Sequence, residues 1–229
     1  MTPEDAITAL RAEGNPQKAA EMAAYHKTGR EVLGVAAPAI DRLARSWRES
    51  MALEDRLALA AGLWDGGIFE GRIAAAKLLT QARIRPDDAG AWTLILAWAP
   101  EFDGWAIADA ACIAGQKRLL ADPGRLAAVE EWTRHENLWT RRAALVITLP
   151  WAKMNFPKPE DLEIREQVLG WAARYVADRD WFIQKAIAWW IRDLSKHDAA
   201  RARAFLEAEG ARLKSFARRE AARYLNLSA

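Results

Sequence analysis

Trp181-Phe182-Ile183-Gln184-Lys185-Ala186-Ile187-Ala188-Trp189-Trp190-Ile191-Arg192 is an almost continuous apolar run, broken only by Gln184, Lys185 and Arg192. Lys185 and Trp189 are four residues apart and share one face of a helix. Trp189 and Trp190 are adjacent, about 100° apart on a helix, so they cannot enter one groove. One is core and the other is open to a site. The small residues after Lys185 permit a close helix–helix approach. The same order, a basic residue followed by small ones, recurs at Arg72-Ile73-Ala74-Ala75, Arg142-Ala143-Ala144-Leu145 and Arg219-Glu220-Ala221-Ala222.

The intervals between these sites are 70, 43 and 34 residues, one or two lengths of a HEAT-type helix pair. Stacked pairs of that kind curve into a solenoid. The expected fold is all-α: a superhelical solenoid of HEAT-like antiparallel helix pairs, one domain over residues 1–229, with a concave basic groove. Basic residues on the concave face would form a ladder able to track a phosphate backbone. The plainer reading makes them ordinary exposed cations of an alanine-rich helical array.

The rest of the chain agrees with an all-α reading. Alanine, leucine, arginine and glutamate dominate, and all are helix formers. No segment alternates as a half-buried strand does. Thr2-Pro3 is a cap followed by proline at the first helical position. Gly14-Asn15-Pro16, residues 29–38, Asp65-Gly66-Gly67, Arg85-Pro86-Asp87, Asp122-Pro123-Gly124, residues 155–159 and Gly210 break the chain into about a dozen helices of roughly 10 to 18 residues.

Composition narrows the function. The 229 residues are 52% hydrophobic, enough for a continuous core. No apolar stretch approaches the roughly 20 residues that span a bilayer, and the acidic start Met1-Thr2-Pro3-Glu4-Asp5 lacks the order of a signal peptide. One cysteine, Cys112, and scattered His26, His135 and His197 supply neither a disulfide framework nor an ordinary zinc site. A cytoplasmic protein without metal, cofactor or membrane partner is expected. The net charge is only +2, but residues 199–229 hold seven basic and three acidic residues, leaving the remainder slightly acidic. Local basic surface on a balanced background suits a phosphate partner; it equally suits a solvated terminal helix.

Three segments carry candidate chemistry. Phe102-Asp103-Gly104-Trp105-Ala106-Ile107-Ala108-Asp109 opens a helix with Trp105 and Asp109 on one face. Asp109 lies in an otherwise apolar run, so it is buried and paired, by an arginine of another helix, or faces a cleft. Asn137-Leu138-Trp139-Thr140-Arg141-Arg142 opens another helix, capped by Asn137; Arg141 and Arg142 point to different faces, one to a carboxylate and one to solvent or phosphate. The third segment is that of Lys185 and Trp189. Taken singly, each has a plain explanation as a structural ion pair or a core ring. Twelve tryptophans are enough to fill a core and leave several for a site.

Together these blocks resemble the AlkC/AlkD-type DNA alkylation-repair family, and its AlkD side most. The blocks are Met22-Ala23-Ala24-Tyr25-His26-Lys27 with Leu33-Gly34-Val35, the Trp105 to Asp109 block, Trp139-Thr140-Arg141-Arg142-Ala143, and the Phe182 to Trp189 block running into Arg192-Asp193-Leu194-Ser195-Lys196. Their order and spacing carry the resemblance, over about residues 22–225. It implies a HEAT-like solenoid and a DNA glycosylase of base excision repair, acting as a monomer on alkylated purines in double-stranded DNA. Asp109 becomes the catalytic carboxylate. Trp105 and Trp189 are the aromatic residues at the lesion, and Arg142 holds the backbone or the carboxylate. Tyr25 lines the cleft, and Lys27, Arg72, Arg141, Lys185, Lys214, Arg218 and Arg219 contact DNA. Thr28-Gly29-Arg30-Glu31 lacks the aromatic character expected there, and Gly104 stands where a bulkier residue is common.

The reaction so implied is hydrolysis of the N-glycosidic bond of an N3- or N7-alkylated purine. Such a base is cationic and leaves without a general acid. A carboxylate beside the oxocarbenium-like sugar stabilises its charge and orients water, and indole faces attract the same charge. Two other functions use the same scaffold: a non-catalytic binder of damaged or branched DNA, and a protein-binding HEAT scaffold.

Overall fold

A computed structural model of the protein describes residues 1–225; residues 226–229, the end of the expected domain, lie outside the described residues. Among the described residues it has fourteen α-helices, three short 3-10 turns and no strand. It divides into two compact units, Met1–Pro123 and one that begins at Gly124. The first holds α1 (Pro3–Ala12), α2 (Pro16–His26), α3 (Ala37–Ser50), α4 (Leu53–Asp65), α5 (Phe69–Leu78), α6 (Ala89–Trp98) and α7 (Trp105–Ala121). The second holds α8 (Leu126–Trp132), α9 (Leu138–Ile147), α10 (Leu149–Ala152), α11 (Pro159–Tyr175), α12 (Trp181–Ser195), α13 (Ala199–Glu209) and α14 (Ser215–Ala221). Among the described residues no helix is long and apolar enough to cross a membrane.

Local chemistry sets the helix ends. The Thr2 hydroxyl accepts the Asp5 N–H at 3.2 Å while the Asp5 carboxylate accepts the Thr2 N–H at 2.9 Å, satisfying two donors that the helix start leaves open. Asn15 caps α2 and Asn137 caps α9. One break was not expected. The Thr148 hydroxyl donates to the carbonyls of Ala144 and Leu145, and Pro150 follows at the start of α10. Proline has no N–H to continue the ladder, so α9 stops there and a four-residue helix follows.

In each unit one helix is central. In α5 Phe69, Glu70, Gly71, Arg72, Ala74, Ala75, Ala76 and Leu78 are buried, and it packs against α3, α4 and α7. In α12 ten residues are buried, among them Ile183, Gln184, Ala186, Ile187, Ala188 and Trp190, and it packs against α9, α10, α13 and α14. Both carry the basic-then-small pattern; small side chains are what let so many neighbours come close.

Several side-chain links tie successive helix pairs at offsets of 35 to 37 residues. Trp64 to Glu101, Arg118 to the Gln81 carbonyl, Arg141 to Asp178 and Gln167 to Glu130 each span 37 residues. Lys77 to Asp41 spans 36, and Lys185 to Glu220 and Arg201 to Glu166 span 35. That offset is the length of one helix pair, so the repeat is visible in the polar contacts. Each unit also has a buried arginine bonded to a tryptophan carbonyl. Arg72 Nε donates to Trp64 O at 3.2 Å and Arg165 Nε to Trp151 O at 3.1 Å; their other donors reach Glu101 and Asp198.

The loop between α2 and α3 is held from α5. The fully buried Glu70 carboxylate accepts the N–H groups of Leu33, Gly34 and Val35 at 2.8–3.1 Å. Gly34 has φ +76°, and a Cβ there would lie 2.1 Å from the Asn15 carbonyl oxygen. Gly34→Ala therefore meets both left-handed backbone and backbone collision, and should lower unfolding free energy by about 2 kcal/mol or more. Gly29→Ala, whose Cβ would meet nothing within 4 Å, is the control and should stay within about 0.5 kcal/mol of wild type in the same denaturant titration.

Candidate functional site

In the first unit the candidate site is built on the end of α2 and the starts of α5 and α7. Trp105 is the first residue of α7, and Asp109, half-buried, lies one turn on. The His26 ring lies between Phe69, with centroids 4.8 Å apart, and Trp105 at 4.9 Å. Tyr25 meets His26 and Trp105 edge-on, at 4.9 and 6.1 Å, and is 71% exposed. The result is an aromatic cluster with an open edge. Arg30 brings its parts together: Nε pairs with Asp103 at 2.6 Å and Nη1 donates to the Gly67 carbonyl at 2.9 Å. One side chain thus ties the loop after α2 to the turns before α5 and α7. The Glu31 carbonyl accepts the Phe69 N–H beside it.

His26 is the titratable member of this cluster. Burial among the rings pushes its imidazole below the ordinary value, with the negative charge of Glu70 opposing in part.

In the second unit α12 presents Lys185 and Trp189 on one face. Trp190 is fully buried while Trp189 is partly exposed, which answers which of the adjacent indoles is core. The Trp189 indole N–H donates to Asp193 at 3.0 Å. Lys185 pairs with Glu220 at 2.7 Å, and Arg192 takes the other oxygen of the same carboxylate at 2.6 Å. Beside them Trp181 stacks on Phe216 at 5.6 Å and touches Phe182, which packs on Trp139. Lys185 Nζ sits 5.7 Å over the Trp181 ring. An open cavity of about 480 Å³ is lined by Leu213, Ser215, Arg218 and Arg219 among others. Arg218 and Arg219 are exposed and form no ion pair among the described residues. Lys214 is half-buried, its N–H donating to the buried Gln184 amide oxygen.

The expected residues therefore fall into different circumstances. Tyr25 and Trp105 come together, with Asp109 on the same helix and Lys27 exposed at the end of α2. Arg72 does not join them. It is 5% exposed, stacked over Trp64 at 4.3 Å and paired with Glu101 at 2.6 Å. Its position near a helix start is as expected, but it faces the interior and cannot serve as a rung for phosphate. Arg142 is 4% exposed. Arg141 holds Asp178 at 3.3 Å and the carbonyls of His135 and Glu136, so its guanidinium is committed within the protein. Sequence reasoning gave His26, Arg30 and Asp103 no role in the site. A lone histidine and a pair separated by 73 residues give no local signal.

A family model described as DNA alkylation repair enzyme matches residues 6–225. No curated protein matches the chain. A solved structure described as a predicted DNA alkylation repair enzyme from Enterococcus faecalis superposes with a TM-score of 0.78 at 22% identity, covering 94% of this chain and 98% of that one. AlkD2 from Streptococcus mutans superposes with a TM-score of 0.62 at 16% identity, covering 92% and 99%. At these identities the structural likeness concerns the fold.

The His26 environment predicts an acid-sensitive first unit. Its folded pKa lies below its unfolded one, so the unfolded chain binds the extra proton first. The stability this group contributes is full above pH about 6.5 and falls as pH drops below it, until folded His26 is itself protonated. His26→Phe should narrow the gap in melting temperature between pH 7.5 and pH 5.5. An unchanged gap would assign the acid sensitivity to other groups.

Proposed function

We propose that this chain, which belongs to the DNA alkylation repair enzyme family, is a DNA glycosylase. Its substrates are cationic N3- and N7-alkylated purines in double-stranded DNA, and it acts as a cytoplasmic monomer, with residues 1–229 working as one DNA-binding domain. The observation that carries the reading is the open aromatic cluster of Tyr25, His26 and Trp105, with the Asp109 carboxylate one helical turn from Trp105.

In this mechanism the bond between the anomeric carbon and the purine nitrogen breaks, and its electron pair neutralises the cationic base. The sugar is left positive at the anomeric carbon. Asp109 stabilises that charge and orients a water whose oxygen forms the new bond; the water's proton passes to the carboxylate and then to solvent. The exposed edge of the cluster suits a cationic nucleotide, each ring face contributing about 0.5–2 kcal/mol. In the second unit the reading gives Trp189 the same aromatic role; Arg142, 4% exposed, is as closed to a phosphate as Arg72 and is assigned no contact with one. Lys185, Lys214, Arg218 and Arg219 are the phosphate contacts, joined in the first unit by Lys27.

Release of N7-methylguanine and N3-methyladenine from alkylated duplex DNA tests the proposal. Wild type should release both; Asp109→Asn should bind DNA normally and release at least about a hundredfold more slowly. Equal rates would remove Asp109 from the chemistry. Absence of release by either, with salt-sensitive binding, would point to a non-catalytic DNA binder. Arg218→Ala combined with Arg219→Ala should flatten the dependence of log K on log salt by about 0.9 for each phosphate that the two arginines neutralise; an unchanged slope would show that neither arginine touches a phosphate.

A further inference from the structure

We infer that Asp193 is a positioning residue for Trp189, fixing the plane of its indole. This rests on the lesion-facing role proposed for Trp189. Asp193 lies one turn beyond Trp189 on α12 and is 5% exposed. Its Oδ2 accepts the indole N–H at 3.0 Å and lies 3.3 Å from Lys153 Nζ; its Oδ1 lies 3.6 Å from both Lys196 Nζ and Arg192 Nε. Lys153 Nζ also sits 5.9 Å from the centre of the Trp189 ring.

A carboxylate so buried needs compensation, and the surrounding cations supply it. They do not depend on it in return: Arg192 keeps Glu220 at 2.6 Å. The Lys153 and Lys196 side chains are 48% and 42% exposed, so water would hydrate both without Asp193. The indole is different: among the described residues Asp193 is its one hydrogen-bond acceptor. A partly exposed tryptophan without such an anchor can rotate about two side-chain bonds. With its N–H tied to a carboxylate that cations hold in place, the ring keeps one plane.

The test measures single-turnover release of N7-methylguanine from saturating alkylated duplex by Asp193→Ala, Asp193→Asn, Trp189→Phe and the pair Asp193→Ala with Trp189→Phe. Asp193→Ala should slow release about tenfold or more. Asp193→Asn keeps an acceptor oxygen and should recover most of that loss. In the Trp189→Phe background Asp193→Ala should cost little further, because the two act as one unit. The same loss in both backgrounds would overturn the inference. A second readout does not depend on activity. The indole proton resonance of Trp189, identified by its absence in Trp189→Phe, should exchange slowly in wild type and rapidly in Asp193→Ala. Should wild type release no base, the glycosylase reading fails and this resonance alone decides. An indole proton that already exchanges in wild type like an exposed one overturns the inference, including where Asp193→Ala does not fold.

Discussion

The Glu70 carboxylate and the three backbone N–H groups it accepts determine how the N-terminal part of the first unit is arranged. Helix α2 has no fully buried residue, so packing alone gives it little reason to stay in place. It nevertheless carries Tyr25 and His26. What holds it is the loop that follows, drawn onto α5 by Glu70 and onto α2's own start by the Asn15 N–H to Leu33 carbonyl bond. Each buried backbone donor left without a partner costs about 1–3 kcal/mol. One carboxylate therefore fixes three consecutive residues that water cannot reach, and the left-handed Gly34 lets them converge on it.

Arg30 extends that arrangement to the site. Residues 28–31 lack the aromatic character that the family resemblance leads one to expect. In that loop the Arg30 guanidinium pairs with Asp103 and donates to the Gly67 carbonyl. The pairing has a geometric consequence. Asp103 lies just before α7, so the arginine acts on the start of the helix that bears Trp105 and Asp109. The His26 ring fills the space between Phe69 and Trp105. A histidine there is polar as well as flat, which is why acid should loosen the cluster.

The helix breaks were legible because proline, glycine and asparagine act locally: Thr2 and Asn137 cap the helices they were expected to cap, and the expected break at Gly14-Asn15-Pro16 supplies Asn15 as the cap of α2. The break at Thr148 was not among those read, although Pro150 marks it, because Ala143 to Trp151 reads as one apolar stretch. Periodicity also separated Trp189 from Trp190 as alternatives, though not which was core. It failed on Arg72. Arg72 and Arg219 share one local pattern, yet one is buried against Trp64 and Glu101 and the other is exposed. The residues that decide this lie eight and 29 positions away. Spacing along a helix gives the angle between side chains; which angle faces the interior is set by the neighbouring helices.

The same distinction bears on how the cations of the second unit would meet DNA. Lys185 and Arg192 divide one carboxylate, Glu220, between them, and Arg141 is committed to Asp178. A phosphate approaching Lys185 must add to or displace an existing pair, and the displaced carboxylate would face the polyanion. Arg218 and Arg219 are exposed without an ion pair among the described residues, and a phosphate meets them with only hydration to remove. On the proposed function, electrostatic binding of undamaged duplex would fall first on the exposed arginines, whereas a contact by Lys185 would require the α12–α14 surface to change its pairing. An internally neutralised cation contributes little to attraction at a distance and more to discrimination at contact, because its pairing changes only when a phosphate is close enough to replace the carboxylate.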